Sequence, residues 1–215
     1  MIKQIPIRGY DRNFSYFIVG DSGFCVVVDP GDVERLEEVM REDGLKLGGI
    51  LVTHSHHDHV EGVAVLASKY GVPVYMHSEA VRRVDVGGGE VRLVKEGEGL
   101  SVGSGDGGGG VVIEVMETPG HIDDAVCYFC RDEGWVVTGD TLFVEGCGRA
   151  DFPDSNVEDL WRSLGRLREL PDAVKVYPGH DYGSKPVSTI GWEKAHNKYL
   201  LCKDFEEFRR KRLGY

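Results

Sequence analysis

Short apolar runs rich in β-branched and aromatic residues recur along most of the chain, and breaks containing glycine separate them. Runs of this length and composition predict strands. We expect strands at residues 14–19, 24–28, 49–53, 72–76, 111–116, 125–129, 135–138 and 174–177. The chain is therefore expected to contain many strands.

Longer stretches with helical spacing of apolar residues lie between these strands, and several follow a residue type that commonly caps a helix N-terminus. They predict helices at residues 32–42, 62–70, 78–84, 156–169, 189–199 and 203–212. No repeat of fixed period is visible. Together the two patterns predict a mixed α/β chain.

A glycine-rich segment at residues 97–110 has few side chains that could pack. A glycine-rich loop that binds phosphate is normally followed by a helix, whereas here a strand is expected to follow. The composition therefore predicts a flexible surface loop or a long hairpin connection.

The length of 215 residues suits one domain, covering residues 1–215 with a short helical tail at 189–215. The chain has 25 basic and 36 acidic residues, a net charge of −11, which disfavours nucleic acid as a partner. It has neither a long apolar run nor the apolar core of a signal peptide near Met1. We expect a cytoplasmic protein that does not bind membranes.

The five cysteines are scattered at Cys25, Cys127, Cys130, Cys147 and Cys202, and we expect reduced thiols. Cys127 and Cys130 form a CxxC pair, which is typical of zinc or redox sites. Both lie in a predicted strand, however, and residues three apart on a strand face opposite sides. The pair is therefore interpreted as structural.

Candidate chemistry appears where strands end. Four predicted strands are each followed closely by a histidine or an aspartate, namely His54, His121, Asp140 and His180. In three of the four cases a glycine comes directly before that residue, and glycine permits a sharp turn. Strands of packed sheets end along common edges, so these four side chains are expected to converge.

The first of these strands runs into His54-Ser55-His56-His57-Asp58-His59, which places four histidines and one aspartate within six positions. A solvated polar loop and a metal site both accommodate such a segment. His54 and His56 share one side of an extended chain, and an N-terminal helix turn favours the Asp58 carboxylate. With His121, Asp140 and His180, the segment could supply two sites that share Asp140. Nitrogen and oxygen ligands suit Zn²⁺, Fe²⁺ or Mn²⁺, and the lack of thiolates argues against a closed structural zinc site.

The segment 54–59 matches the HxHxDH signature of the metallo-β-lactamase superfamily, which the chain resembles over nearly its whole length. The later His121, Asp140 and His180 and the early Val28-Asp29-Pro30-Gly31 match the other ordered motifs of that superfamily. The resemblance implies a four-layer αββα sandwich with the metal site at one edge of its two sheets.

The resemblance also implies roles for individual residues. It assigns His54, His56 and His121 to one metal, Asp58, His59 and His180 to a second, and Asp140 to both. Asp29 is expected to steady the ligand loop, which accords with the need to fix imidazole orientation. His57 fills a variable position and is not expected to be a ligand.

Within the superfamily, the chain resembles the glyoxalase II and persulfide dioxygenase branch in its segments 145–152, 178–183 and 188–191. Arg149 and Tyr182 match positions that line the pocket for a glutathione-type thiol. Alternatively, Arg149 pairs structurally with Asp151.

The chain also departs from glyoxalase II at its C-terminal end. Full-length glyoxalase II has a C-terminal helical domain that holds glutathione, whereas here only residues 192–215 follow the last matching segment, and Lys198 stands where proline is usual. The basic run 209–212 is interpreted as a solvated helix end, although it could supply substitute contacts. Recognition of glutathione is therefore an open question.

The leading hypothesis is a metallo-hydrolase of the glyoxalase II type. Two divalent ions (Zn, Fe or Mn) would generate hydroxide that cleaves a hydroxyacylglutathione-like thioester, and Asp58 would be the catalytic carboxylate. The substrate would be a small anionic compound derived from a thiol. A homodimer is also left open.

Two alternatives remain. One is a persulfide dioxygenase, in which His54, His121 and Asp140 hold a single Fe(II) and leave positions free for oxygen and sulfur. The other is a non-catalytic binding module stabilised by metal, although seven ligand-type residues exceed what a structural metal requires.

Overall fold

The computed structural model describes residues 1–8, 11–103 and 110–215. The N-terminal half forms a six-stranded sheet in the order β1-β2-β3-β4-β5-β6. The strands are β1 (Ile2–Pro6), β2 (Phe14–Val19), β3 (Phe24–Val28), β4 (Lys46–Leu51), β5 (Val74–His77) and β6 (Val91–Val94). β1, β2 and β3 pair antiparallel, whereas β3 to β6 pair parallel.

The second half forms another six-stranded sheet, in the order β14-β13-β10-β9-β8-β7, and a small two-stranded sheet of β11 and β12. The strands are β7 (Gly99–Val102), β8 (Val111–Glu117), β9 (Val126–Cys130), β10 (Trp135–Gly139), β11 (Leu142–Phe143), β12 (Gly146–Cys147), β13 (Lys175–Pro178) and β14 (Ser188–Thr189). β8, β10 and β13 run in one direction, because β9 is antiparallel to β8 and β10 while β13 is parallel to β10.

In the part of the chain that the structure describes, six α-helices accompany the sheets, with short 3₁₀ helices at Asp21–Gly23 and Ser78–Arg82. The α-helices are α1 (Val33–Asp43), α2 (His57–Val60), α3 (Val63–Tyr70), α4 (Val157–Arg168), α5 (Ile190–His196) and α6 (Phe205–Leu213). Side chains cap the longer ones as the sequence indicates: Asp32, Asn156 and Asp204 each accept hydrogen bonds from backbone N–H groups of the first turn.

Three buried apolar clusters define the layers. One fills the space between the two sheets, with Tyr16 and Val28 on one side and Tyr128 and Val137 on the other. A second lies between the first sheet and helices α1 and α3. A third lies between the second sheet and helices α4, α5 and α6. The expected four-layer αββα sandwich is thus confirmed.

The eight expected strands are all present within a few residues of their expected bounds, but β1, β6, β7 and the short β11, β12 and β14 were not expected. The loop expected at 97–110 is wrong for residues 99–102, which form β7. Leu100 and Val102 are buried there, and the strand pairs with β8. Residues 104–109 of that segment lie outside the described residues. The helix expected at 78–84 is instead the 3₁₀ helix Ser78–Arg82.

Cys127 and Cys130 are both buried and lie on opposite faces of β9. Cys127 belongs to the cluster beneath the helices, and Cys130 belongs to the cluster between the sheets. The two thiols therefore face different cores, which confirms the structural interpretation of the CxxC pair.

Within the described residues, no helix combines the length and the apolar character that crossing a membrane would require.

Candidate metal centre

The structure brings seven histidine and aspartate side chains together at one edge of the two sheets. Each follows a strand end or lies in the loop and short helix after β4, and the seven are His54, His56, Asp58, His59, His121, Asp140 and His180. Strands β4, β8, β10 and β13 all deliver their ends to this edge. The four strand ends therefore converge at this edge, as the sequence predicts.

His54, His56 and His121 form the first group. Nε2 of His54 lies 3.1 Å from Nδ1 of His56, which in turn lies 2.9 Å from Nε2 of His121. These three ring nitrogens all lie within 4.8 Å of one another. The arrangement provides three nitrogen donors facing one point.

Asp58, His59 and His180 form the second group. The Nε2 atoms of His59 and His180 are 3.3 Å apart, and Asp58 Oδ2 lies 3.6 Å from the first and 3.4 Å from the second. This group provides two nitrogens and one carboxylate.

Asp140 lies between the two groups. Its Oδ2 is 3.5 Å from Nε2 of His121 and 3.2 Å from Nε2 of His180, and its Oδ1 is 3.4 Å from Nε2 of His59. Oδ1 is buried and accepts no hydrogen bond from any described residue. A buried carboxylate oxygen without a donor is costly unless a cation balances it.

The ring nitrogens that face away from the centre are held by the protein. Nδ1 of His59 pairs with Asp29 Oδ2 at 2.9 Å, and Nδ1 of His121 and of His180 donates to the backbone carbonyls of Arg149 (2.8 Å) and Asp11 (2.7 Å). Such contacts fix the ring orientation and leave the other nitrogen of each ring facing inward.

Asp29 makes the supporting contacts expected of it. Besides His59, its carboxylate accepts hydrogen bonds from the Thr53 backbone N–H (2.7 Å) and the Thr53 hydroxyl (2.6 Å). The residue has φ of 51°, in the left-handed region that aspartate tolerates better than most residues. Asp29 also lies near His54 and His59 as a potential ligand, but both of its oxygens are already engaged.

The pKa values of the first group favour neutral imidazoles. Burial is the main cause that lowers the pKa of His54, His56 and His121. A neutral imidazole has a lone pair on one ring nitrogen, and a metal ligand needs that lone pair. The three imidazoles of the first group can therefore bind a cation without first releasing protons.

The second group is more strongly coupled. Burial would lower the pKa of His59 and His180, but Asp140 acting on both, together with Asp29 acting on His59, outweighs burial and raises both. At Asp140 the neighbouring imidazoles, with His59 and His180 foremost, outweigh burial and lower its pKa well below the ordinary value. A cation among these groups would replace the imidazole protons as the partner of the carboxylates. Neutral imidazoles and ionised carboxylates in one buried space match the donors that Zn²⁺, Fe²⁺ or Mn²⁺ binds.

Sequence reasoning missed one contact of the centre. The Asn13 side-chain amide donates to Asp58 Oδ2 at 2.7 Å, and the preceding residues carry the Asp11 carbonyl that holds His180. An asparagine before a strand is a weak signal that could not have identified this role. His57, in contrast, is 86% exposed and pairs with Glu61, as suits a residue that is not a ligand.

A cavity of about 410 Å³ adjoins the centre. It is lined by residues in and next to the β11–β12 hairpin, in the loop after His180, in the segment between α5 and α6, and in α6, among them Phe143, Glu145, Cys147, Arg149, Tyr182, Lys198, Tyr199 and Arg212. Tyr182 stacks on the His180 ring at a centroid distance of 4.5 Å, which joins the cavity to the second group.

Arg149 and Tyr182, the two expected substrate contacts, both line this cavity. Arg149 also makes a forked pair with Asp151, with Nε–Oδ1 and Nη2–Oδ2 distances of 2.9 Å, and lies over the Phe152 ring. Arg149 therefore makes the structural pair with Asp151 that the alternative predicted, and it also lines the cavity.

Comparison with known proteins places this centre in a family. The family model described as the metallo-beta-lactamase superfamily matches residues 8–180. The chain belongs to the metallo-beta-lactamase superfamily. The segment 54–59 and the later His121, Asp140 and His180 lie inside the matched region.

Individual relatives in the superfamily differ in how much of them the chain covers. A hydroxyacylglutathione hydrolase of Hahella chejuensis is 36% identical over 185 residues, which are 85% of this chain and 66% of that protein. The "probable polyketide biosynthesis zinc-dependent hydrolase BaeB" of Bacillus velezensis is 31% identical over 91% of this chain and 85% of that protein. The chain spans 58 to 66% of the length of the first three hydroxyacylglutathione hydrolases that it matches.

Among solved structures, the crystal structure of ETHE1 from Myxococcus xanthus superposes with a TM-score of 0.82. It is 32% identical in sequence, and the match covers 97% of this chain and 88% of that chain.

Proposed function

We propose that the protein is a metal-dependent hydrolase that cleaves a small anionic thioester, as glyoxalase II-like enzymes do. The observation that carries the proposal is the pair of ligand groups that share Asp140 and adjoin a cavity whose lining has three basic residues and one acidic residue. The hydroxyacylglutathione hydrolases and the zinc-dependent hydrolase among its relatives support it.

The donor groups define how two divalent ions (Zn, Fe or Mn) would be held. His54, His56 and His121 would hold the first, Asp58, His59 and His180 the second, and Asp140 would contact both. When bound, such ions lower the pKa of a coordinated water toward neutrality and polarise the acyl carbonyl.

Asp58 is the residue of the centre that can handle a proton. Burial would raise its pKa, but the charge of His59 and the hydrogen bond from Asn13 outweigh burial and lower it. Asp58 is therefore ionised at neutral pH and only half-buried, unlike Asp140. We assign it the orientation of the attacking water and the acceptance of its proton.

The cavity is suited to the thiol-derived part of the substrate. Arg149, Lys198 and Arg212 contribute positive charge to its wall and outnumber the one acidic residue, Glu145, while Tyr182 and Tyr199 contribute hydroxyl groups. These side chains offset locally the net charge of −11 that would otherwise repel an anion. The acyl group would then lie toward Tyr182 and the metal centre.

A persulfide dioxygenase is the second candidate. The likeness to ETHE1 favours it, because that match covers 88% of the ETHE1 chain. In this candidate a single Fe(II) is held by His54, His121 and Asp140, and the second group has no metal.

Metal analysis of protein purified without added metal, combined with two assays, separates the candidates. Two metals per chain and hydrolysis of a lactoyl glutathione thioester without oxygen uptake would support the hydrolase. One iron per chain and oxygen uptake with glutathione persulfide would overturn it in favour of the dioxygenase. Bound metal without turnover of either substrate would overturn both and leave the binding module.

The variants His59→Ala and His57→Ala make the metal assignment specific. His59→Ala removes a donor of the second group, so hydrolase activity and one metal per chain should be lost together. His57→Ala alters the exposed neighbour that pairs with Glu61 and should change neither. Equal loss in both variants would contradict the assignment.

Two further predictions concern the whole protein, namely a single domain over residues 1–215 and a cytoplasmic location, and a homodimer is left open as a third question. Buried cysteines that make no disulfide accord with a reducing compartment. Limited proteolysis, cell fractionation and light scattering would test the three in turn.

A further inference from the structure

Asp124 connects the two chain segments that carry the first group. It lies in the loop between β8 and β9, three residues after His121, and its carboxylate is buried. Its Oδ1 accepts the backbone N–H of Ser55 at 3.1 Å, and Ser55 stands between His54 and His56. One side chain thus links the loop of His121 to the loop of the other two histidines.

Arg83 balances the buried charge of Asp124. The residue follows the 3₁₀ helix Ser78–Arg82 on the side of the first sheet, and its Nη1 donates to Asp124 Oδ2 at 2.8 Å. Its guanidinium also forks onto Asp123, with Nη2 2.9 Å from Oδ2, and lies 3.5 Å from Asp154. Only 18% of the Arg83 side chain is exposed, so the pair is shielded from water and salt.

The segment that carries Asp154 also lies against the first group. The Phe152 ring meets the edges of the His56 and His121 rings at centroid distances of 5.4 and 5.9 Å. Ser155 Oγ donates to the His121 backbone carbonyl at 2.6 Å. Arg83 therefore contacts the two segments that enclose His121 and, through Asp124, the segment of His54 and His56.

The fork onto Asp123 fixes the direction of the Arg83 guanidinium, so that its single contact to Asp124 Oδ2 holds that carboxylate in place. A set of metal-binding side chains must be held within roughly 0.5 Å of its productive geometry. A buried carboxylate whose cation is removed has a strong tendency to rearrange or to draw in water. Loss of Arg83 would therefore change the position of Asp124 and of the Ser55 N–H bound to it.

We infer that the Arg83–Asp124 pair is a positioning device that sets the separation of His121 from His54 and His56, and thereby the metal affinity of the first group. This inference rests on the proposed role of that group as a metal site. According to this inference, Arg83 and Asp124, which are not ligands themselves, control the metal affinity of the first group but not that of the second.

The test adds Co²⁺ to metal-free protein in competition with a chelator, which gives the affinity of each site. The visible absorption of bound Co²⁺ reports the geometry of its ligands. Arg83→Ala and Asp124→Asn should weaken the first of two Co²⁺ sites by about 10- to 100-fold, as loss of such supporting contacts typically does, and should alter its spectrum. The second site, of Asp58, His59 and His180, should retain its affinity.

Arg82→Ala is the matched control. Arg82 is the preceding arginine, 64% exposed, and it contacts Glu79 and Asp123 but not Asp124 among the described residues. Its replacement should leave both Co²⁺ sites unchanged. If Arg83→Ala does not fold, Arg83→Lys replaces it, because lysine keeps the positive charge but cannot make the forked contact. The single variants Arg83→Lys and Asp124→Asn should then each weaken the first Co²⁺ site.

Two outcomes would overturn the inference. If the Arg83 and Asp124 variants unfold at lower temperature but keep wild-type Co²⁺ affinity and spectrum, the pair is an ordinary stabilising ion pair. If the wild-type protein binds no Co²⁺, the proposed metal centre fails and the positioning role fails with it. If the wild-type protein binds Co²⁺ at both sites but does not hydrolyse the thioester, only the proposed function is overturned, and the Co²⁺ affinities of the variants still decide the inference.

Discussion

The side-chain amide of Asn13 donates a hydrogen bond to the carboxylate of Asp58, with Nδ2 2.7 Å from Oδ2. Asn13 also forms an isolated β-bridge with His180, and Phe14 donates its backbone N–H to the carbonyl of Gly179. The short segment before β2 contributes no ligand, yet it fixes two of the three side chains of the second group.

Asn13→Ala should therefore weaken the second site selectively. Without the amide, Asp58 loses the donor that orients its carboxylate, and we expect a loss of about 10-fold in metal affinity at that site. Measurement of metals per chain against increasing chelator would show one site lost early. Unchanged chelator resistance of both sites would contradict the role given to Asn13.

Asp29→Ala should destabilise the metal-free protein. It would leave the Thr53 N–H and hydroxyl and the His59 Nδ1–H without their buried acceptor, and each such loss costs about 1–3 kcal/mol. Urea denaturation would measure the change. Asp29→Asn keeps one acceptor oxygen and tolerates the left-handed backbone, so it should cost less. Equal stability of all three proteins would contradict the network.

Gly179→Ala should disrupt the centre for steric reasons. A Cβ on Gly179 would lie 2.3 Å from Asp140 Oδ1 and 2.9 Å from the His59 ring. We expect loss of metal at the second group, measured by metal content.

Gly165→Ala is the matched control for this substitution. Gly165 lies inside α4, and no described atom comes within 4 Å of the added Cβ. This variant should keep its metals and gain about 0.5–1 kcal/mol of stability, because alanine is the better helix former. If Gly165→Ala also lost metal, the metal loss in Gly179→Ala could not be attributed to a steric clash at the centre.

The cysteines should react slowly with a thiol reagent in the folded protein. Burial raises the pKa of Cys25, Cys127 and Cys147 to about 12, so these thiols are protonated at neutral pH, and all five cysteines are buried. Labelling should be fast only after unfolding. Rapid labelling of Cys127 and Cys130 in native protein would revive the redox interpretation of that pair.

Asp32 should give the stability a defined pH dependence. The hydrogen bond from Arg8 is the main cause that lowers the pKa of Asp32 below its ordinary value. The contribution of Asp32 to stability is thus present above that ordinary value and is lost as pH falls through the lowered pKa. Asp32→Asn should be less stable than wild type at neutral pH, and the difference should vanish in acid. A difference that persists in acid would contradict the assignment.

The histidines and aspartates of the candidate metal centre show most clearly what could be predicted from the sequence. His54 to His59 form a local segment, and His121, Asp140 and His180 each follow an apolar strand, so the alternation of apolar and polar positions was enough to place them at strand ends. The helix caps at Asp32 and Asn156 were equally local signals.

The contacts that hold those ligands were not visible in the same way. Asn13 and Asp58 are 45 positions apart, and Arg83 and Asp124 are 41 apart, with no pattern in the chain that relates them. The strand β7 was not predicted, because the glycine-rich composition around it favoured a loop. Arg212 lines the cavity, which agrees with the alternative that the basic run 209–212 supplies contacts and not with its interpretation as a solvated helix end.

The sequence by itself determined that these histidines and aspartates would lie close after strand ends, because that placement follows from short-range spacing. Only the tertiary structure decided the distances within and between the two groups, and which side chains besides Asp29 orient them. The physical reason is that these distances depend on how two sheets pack face to face, and that packing is set by the whole buried core rather than by any one segment.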